Sequence, residues 1–352
     1  MQIIDLVNDR LKHNLVGIDS RLEKLMALIG IGFDDVRVVG VWGLGGIGKT
    51  TIAQVIYNSI SHQFDGASFL PVVREQSILQ LQEMLLIDIT GVKDKNLNNV
   101  DEGINEISKR LRHKKVLIIV DDVDSLSQSE CLVPNPNCLG MGSRIIITAR
   151  DKRLLYDVHK VDNIYEVPEL GFEESMLLFS LCAFKRRFPE KGYAKLSRDM
   201  VDYANGHPLT LQVLGHFLYG KTIYEWADEL REINCRPRLE MLRVLQTSYD
   251  ELDNIEKDVF LDLACFFNGV EREFVSRLSD LPEITIRQLH DKSLVTFSNN
   301  KILMHPLLQQ MGQEVVHQPC PQEPGKQSRL WRSEDVHRIL RQNEVRSKCL
   351  KL

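Results

Sequence analysis

No C-x-x-C pair occurs among the seven cysteines of this 352-residue chain. Cys131 and Cys138 flank a Pro/Asn loop with no matching His/Cys pair nearby, so the spacing does not read as a zinc site. Scattered, odd in number and mostly buried thiols are expected to stay reduced, which implies cytosol or nucleus. No apolar stretch reaches membrane-spanning length, so no membrane span is expected. The opening, with Asp5, Asp9, Arg10 and Lys12 breaking its apolar positions, does not read as a signal peptide. Basic residues are not in excess either: 44 Lys and Arg stand against 49 Asp and Glu, a net charge of −5. That balance argues against a broadly basic surface, and no direct nucleic-acid binding is expected. There is no internal repeat and no low-complexity tract. What is present is 43% hydrophobic residues, ample for packed cores, over a length that allows two to three domains.

The most informative stretch is Gly43-Leu44-Gly45-Gly46-Ile47-Gly48-Lys49-Thr50-Thr51, directly after the apolar run Val38–Trp42. It fits the pattern G-x-x-x-x-G-K-[ST], placed between a buried strand and a helix. There the glycines let the backbone curl so that successive N–H groups point at a β-phosphate, and the helix N-terminus adds its partial positive charge. Lys49 is expected to reach the β/γ-phosphates and Thr50 to offer its hydroxyl to Mg²⁺.

A second apolar run, Val116–Val120, ends in Asp121-Asp122. An acidic residue at the carboxyl end of such a strand faces the crevice where nucleotides bind in open α/β sheets. Asp121 is the candidate Mg²⁺ ligand and Asp122 the candidate for orienting an attacking water, although a turn after a strand also favours aspartate. A third run, Arg144–Thr148, ends at Ala149-Arg150-Asp151. Arg150 is placed to sense a γ-phosphate; the plainer alternative is a surface arginine paired with Asp151.

Residues up to about 168 alternate apolar strands with amphipathic helices, the signature of an α/β fold with a mostly parallel sheet. Strands are expected near Val36–Val41, Ala67–Val72, Val116–Val120, Arg144–Thr148 and Asn163–Val167. After Pro168 strand signals vanish and helices follow at Glu173–Phe184, Tyr193–Ala204, Leu209–Leu218 and Ile223–Glu232. Pro237 marks a further break. Beyond it come helical runs at Leu239–Tyr249, Asn254–Phe267, Arg272–Ser279, Ile284–Lys292 and Leu307–His317. Leu294–Ser298 and Lys301–His305, joined by Asn299-Asn300, read as a hairpin, and helices with one hairpin point to a winged helix. The tail from Gln318 carries Pro319, Pro321 and Pro324 and starts as a linker.

Five ordered motifs carry a family resemblance: Gly43–Thr51, Asp121–Asp124, Gly142–Asp151, Gly206-His207-Pro208-Leu209 and Met304-His305. From Leu15 to about Arg338 the chain resembles the NB-ARC region of the nucleotide-binding, leucine-rich-repeat disease-resistance receptors of plants. Asp124 at the end of the second motif, and Phe260–Phe267, resemble the subclass that carries an N-terminal TIR domain. Neither a TIR domain nor leucine-rich repeats are read here, so the chain looks like the switch alone.

The resemblance implies a P-loop domain over 15–168, after an N-terminal linker helix at 1–14. A helical ARC1 domain over 169–236 and a winged-helix ARC2 domain over 237–318 follow, with 319–352 leading toward absent repeats. It implies ADP or ATP with Mg²⁺ as ligands. Val16, Gly17 and Ile18 would line the adenine pocket, with Pro208 and Leu209 near the adenine and ribose. The loop residues Gly43, Gly45, Gly46, Ile47, Gly48, Lys49, Thr50 and Thr51 would hold the phosphates, and His305 the β-phosphate of ADP. One departure stands out: the family usually reads Met-His-Asp where this chain reads Met304-His305-Pro306. The proline suits the first turn of a helix but removes a carboxylate able to cap it.

The mechanism implied is a nucleotide-gated switch, off with ADP and on with ATP, acting in defence signalling. Self-association or a paired receptor is expected in the ATP state, with a pathogen effector or a guarded host protein as the trigger. Hydrolysis is at most slow and resets the switch. Two other readings remain open: a truncated adaptor or decoy that binds nucleotide and a partner receptor without switching, and an ATPase whose turnover is the function.

Overall fold

The computed structural model describes residues 15–71, 76–91, 97–157, 161–235, 239–278, 281–320, 323 and 326–342. The N-terminal linker helix expected over 1–14 lies outside them, as do Val72, Pro237, Ser279, Pro321 and Pro324. The chain divides into two compact units, one up to Glu174 and one from Ser175.

The first unit is built on five parallel strands, β1 (Arg37–Trp42), β2 (Gly66–Leu70), β3 (Val116–Val123), β4 (Arg144–Ala149) and β5 (Asn163–Glu166). They lie in the order β2-β3-β4-β1-β5. Helices α1 (Ile18–Ile29), α2 (Lys49–Ile60), α3 (Ile78–Thr90), α4 (Val100–Arg110), α5 (Leu126–Leu132) and α6 (Arg153–Asp157) connect and flank them. Alternate residues of a strand face opposite sides of a sheet. In β3 one set, Val116, Ile118 and Val120, joins the core with Leu81, Leu85 and Leu111. The other set, Leu117 and Ile119, is also fully buried. Burial of both sets means both faces are covered, which is why these strands read as continuous apolar runs rather than alternating ones.

The order places β1 between β4 and β5, so the carboxyl ends of β1, β3 and β4 stand side by side. All three candidate motifs leave the sheet at that edge. Between Val120 and Val123 the register of β3 against β4 slips, and Asp122 takes a left-handed backbone with φ 57°. A bulge of this kind turns the strand and re-aims its side chains.

The second unit is helical, with one hairpin. Helix α7 (Phe172–Phe184) crosses the boundary, followed by α8 (Ala194–Ala204), α9 (Pro208–Leu218), α10 (Ile223–Cys235) and α11 (Leu239–Asp250). Trp226 anchors this group: its ring packs on Phe179, Phe184 and Tyr193 at centroid distances of 5.6, 5.2 and 5.0 Å, and its indole N–H donates to the Leu218 carbonyl. Helices α12 (Asn254–Asp262), α13 (Arg272–Leu278), α14 (Glu283–Asp291) and α15 (Pro306–His317) surround the hairpin of β6 (Thr296–Ser298) and β7 (Lys301–Leu303). Asp253 and Glu256 form a capping box that fixes the start of α12.

The expected single helix over Asn254–Phe267 is interrupted. After Asp262 the chain passes into a π-helical turn, Leu263–Phe267. The wider turn leaves the Ala264 carbonyl to the side chains of Gln309 and Gln313, both at 3.2 Å from α15. The two segments touch so closely that a Cβ on Gly312 would come 2.6 Å from that of Ala264. The tail also departs from the linker expected: α16 (Ser333–Gln342) forms within it, and Gln327 and Arg329 are buried. Prolines near 319–324 signal the break after α15 correctly, but not the polar anchors that follow it.

Candidate functional site

The phosphate loop follows β1 and closes on α2. Gly46 and Gly48 have φ of 80° and 105°, a region that side chains rarely enter, so the curl needs glycine. Gly48 is the N-cap of α2, whose first residue is Lys49. The Lys49 ammonium is buried and donates to the carbonyls of Gly43 (2.7 Å) and Leu44 (3.1 Å). Lys49 therefore lies along the inside of the loop, its charge on the concave side.

Thr50 and Asp121 meet directly, the threonine hydroxyl lying 3.1 and 2.9 Å from the two carboxylate oxygens. Thr148, on β4, donates a second hydroxyl to Asp121 at 2.7 Å and accepts the N–H of Asp122 at 2.8 Å. Thr148 thus holds the Asp121 carboxylate and the Asp122 backbone at the bulge. Asp121 is fully buried, and burial pushes its carboxyl up while the hydroxyls of Thr148 and Thr50 pull it back down. A hydroxyl and a carboxylate held within 3.1 Å make a hard oxygen pair. That pair fits Mg²⁺, a cation that completes its shell with water and phosphate oxygens rather than an all-protein cage.

Arg150 does not pair with Asp151, the alternative left open by sequence. Its guanidinium instead lies 3.3 and 3.4 Å from the carboxylate of Asp122, while Asp151 takes Arg153. The Trp42 indole donates to the Arg150 carbonyl at 3.0 Å and so fixes the base of that side chain. Asp122 and Arg150 form an ion pair on the rim, each mostly shielded from solvent.

Val16, Gly17 and Ile18 enter α1, with Gly17 as its N-cap at φ 69°. A Cβ at Gly17 would meet the movable end of the Leu170 side chain, so it is the left-handed backbone at φ 69° that makes a larger residue strained here. Two residues that sequence reading passed over belong to this unit's site: Thr148 and Arg21. Thr148 was legible as the one hydroxyl in the strand, at the end of the apolar run Ile145–Ile147. Arg21 was legible as a cation on the face of α1 shared with Ile18, Leu22 and Leu25.

Pro208, Leu209 and His305 all belong to the second unit. Pro208 opens α9 at its first position behind the N-cap His207, and Leu209 follows, partly buried. His305 is the N-cap of α15, accepting the Leu307 N–H on Nδ1 at 3.3 Å, with Pro306 at the first helical position. The two cap histidines sit together, ring centroids 5.5 Å apart. Burial, and then His207 beside it, pushes the His305 imidazole down from 6.5 to about 3.

The folded chain keeps His305 neutral where the unfolded chain takes up a proton. Stability from this site is complete above the ordinary value of 6.5 and is lost as pH falls toward 3. The slope in that window is about 1.4 kcal/mol per pH unit. Urea unfolding at about pH 6.5 and pH 5 should show a loss near 1.6 kcal/mol attributable to His305. His305→Asn, which keeps a cap acceptor, should lose that much less; parallel declines in both proteins would exclude the site.

The NB-ARC domain family matches residues 19–188, and the winged-helix domain of the Roq1-like disease resistance proteins matches residues 253–319. The latter match begins at the capping aspartate of α12 and ends just beyond α15. Among curated proteins, disease resistance protein RUN1 of Vitis rotundifolia is 47% identical over 96% of this chain and 27% of its own length. Disease resistance protein RPV1 of the same species is 46% identical, over 94% and 24%. TMV resistance protein N of Nicotiana glutinosa is 38% identical, over 97% and 31%. The chain therefore spans about a quarter to a third of the length of these relatives. Among solved structures, the Walker-type ATPase of Pyrococcus abyssi superposes with a TM-score of 0.56 at 12% identity, covering 86% of this chain and 97% of that one. That likeness concerns the fold alone. With a phosphate loop on a parallel sheet and a winged-helix match further along the sequence, the chain carries an NB-ARC domain followed by the winged-helix domain of Roq1-like plant disease-resistance proteins.

Proposed function

We infer that the chain is the nucleotide-gated switch of a plant immune receptor, held off by ADP and turned on by ATP. The observation that carries this reading is the cluster of Lys49, Thr50, Asp121 and Thr148 at the phosphate loop, in which Lys49, Asp121 and Thr148 are buried and Thr50 is exposed. Lys49 binds the β- and γ-phosphates, the loop N–H groups point at the β-phosphate, and Thr50 with Asp121 holds Mg²⁺. The ion, when bound, neutralises phosphate charge. Thr148 keeps the Asp121 carboxylate aimed while its charge is buried. Val16, Gly17 and Ile18 take the adenine. Pro208, Leu209 and His305 complete the off state through contacts with the nucleotide, within an organisation of P-loop domain 15–168, helical domain 169–236 and winged helix 237–318.

Arg150 is the γ-phosphate sensor in this reading. With ADP its guanidinium is satisfied by Asp122; a γ-phosphate competes for it and frees the Asp122 carboxylate to orient a water for slow, resetting hydrolysis. Exchange moves the equilibrium only because ATP and ADP differ in their contacts with the two states. The ATP state self-associates or joins a paired receptor in the cytosol or nucleus, after an effector or a guarded host protein is perceived.

Arg150→Ala should weaken ATP binding by more than tenfold, the loss of about 1.5–3 kcal/mol expected of a charge-assisted contact, while ADP binding changes less than threefold. Calorimetry with both nucleotides decides it, and equal losses would make Arg150 a structural rim residue. Nucleotide retained after gentle purification, read by chromatography, separates a resting ADP switch from a turnover ATPase. Bound ADP with negligible steady-state hydrolysis supports the switch; rapid turnover supports the ATPase.

A further inference from the structure

The phosphate loop is tied to the segment leaving the first unit through one buried guanidinium. Arg21 lies on the core-facing side of α1 and is only 5% exposed. Its Nη1 donates to the carbonyl of Ile47, inside the loop, at 3.3 Å, and its Nη2 to the carbonyl of Pro168. Pro168 follows β5 and precedes α7, which continues into the second unit. Burial lowers the pKa of Arg21, and Glu174, Tyr165 and Glu169 work against that shift. The Glu174 carboxylate in turn accepts the Gly171 N–H at 3.0 Å and the Ser20 hydroxyl at 3.5 Å. Residues 17–21, the loop and residues 168–174 are thus one connected group.

An apolar side chain would pack α1 against the sheet without burying a charge, and burying a guanidinium is costly. The position has a directional use instead. In a trans peptide the carbonyl of one residue and the N–H of the next point opposite ways. A guanidinium that holds the Ile47 carbonyl on its own side therefore aims the Gly48 N–H away from it, and Gly48 is the N-cap of α2, where an anion is expected.

We propose that Arg21 is a positioning residue for the phosphate loop: it sets the orientation of the Ile47–Gly48 peptide and couples that orientation to residues 168–174, the route into the second unit. This rests on the reading of the loop as a nucleotide site. Glutamine at position 21 is too short to span both carbonyls, and lysine keeps the charge but reaches one of them.

The experiment uses the full chain, with ADP as the probe. Affinity is measured by calorimetry and amide exchange is followed at 43–51 and 168–174 with and without ADP. In the wild type, ADP should slow exchange in both segments. Arg21→Gln should weaken ADP binding at least tenfold and, at saturating ADP, leave 168–174 unprotected while 43–51 is still protected. Arg21→Lys should fall between the two, and it serves as the test if the glutamine variant does not fold. A structural role alone would shift baseline exchange without removing the response of 168–174 to ADP. Lys49→Ala is the control for the underlying reading. If it weakens ADP binding while Arg21→Gln and Arg21→Lys bind ADP within twofold of wild type, Arg21 is not a positioning residue. If 168–174 responds to ADP as in wild type in the Arg21 variants, the coupling is overturned. If Lys49→Ala itself leaves ADP affinity unchanged, the nucleotide reading fails first, and the proposal with it.

Discussion

Asp262→Ala will lower the unfolding free energy of the chain by about 3–5 kcal/mol, the usual consequence of stranding one partner of a buried ion pair. Asp262 and Arg329 are 4% exposed each. The Arg329 Nε lies 2.5 Å from the Asp262 carboxylate, while Nη2 donates to the Asp258 carbonyl at 2.8 Å. The Asp258 carboxylate also approaches Arg329, at 3.3 Å, but its side chain is 70% exposed and solvated, so it cannot replace the lost charge. Chemical denaturation of the full chain gives the number. A loss below about 1 kcal/mol would show that Arg329 does not anchor the tail. The double variant Asp262→Leu/Arg329→Leu should be less damaging than Asp262→Ala, because it removes both charges from the interior together.

Lys49→Ala should weaken ADP binding by about 1.5–3 kcal/mol, roughly 10- to 150-fold. The ammonium rests on two neutral loop carbonyls. Binding a phosphate gives it an anionic acceptor, and charge-assisted bonds are about twice as strong as neutral ones. Because Lys49 also braces the loop, Lys49→Met is the companion variant: it keeps the buried stem, fills the space and removes only the charge. Both variants should lose affinity. Wild-type affinity for ADP by calorimetry would remove the loop from the nucleotide site.

Much of the fold was legible because it depends on local rules. Both faces of the sheet are buried, so β3 and β4 stand out as apolar runs, and their expected limits fall within three residues of those observed. The winged-helix hairpin was legible from Asn299-Asn300, which both adopt the left-handed backbone the turn needs. The site was legible only as far as motifs reach. The bulge at Asp121-Asp122 depends on how β3 pairs with β4, a non-local property, and with it comes the pairing of Arg150 with Asp122 rather than with its neighbour Asp151. The π-helical turn at Leu263–Phe267 was hidden because helical periodicity continues through it, and the partners of the Ala264 carbonyl it frees, Gln309 and Gln313, lie some 45 residues away in sequence. Arg21 and Arg329 were passed over for a common reason: a lone cation reads as surface, and only the tertiary fold supplies the carbonyls and carboxylate that make burial tolerable.

The strand order has a consequence for synthesis. β1 is made before both of its neighbours in the sheet, β4 and β5, and Val39 pairs with Ile146, roughly a hundred residues later. At about 5–20 residues per second a ribosome takes several to twenty seconds to cover that distance. Throughout that interval Val38, Val39, Val41 and Trp42, all destined for the interior, have no strand beside them. A nascent chain stalled before Arg144 should bind a holding chaperone through this segment, and one extended past Glu166 and clear of the exit tunnel should release it.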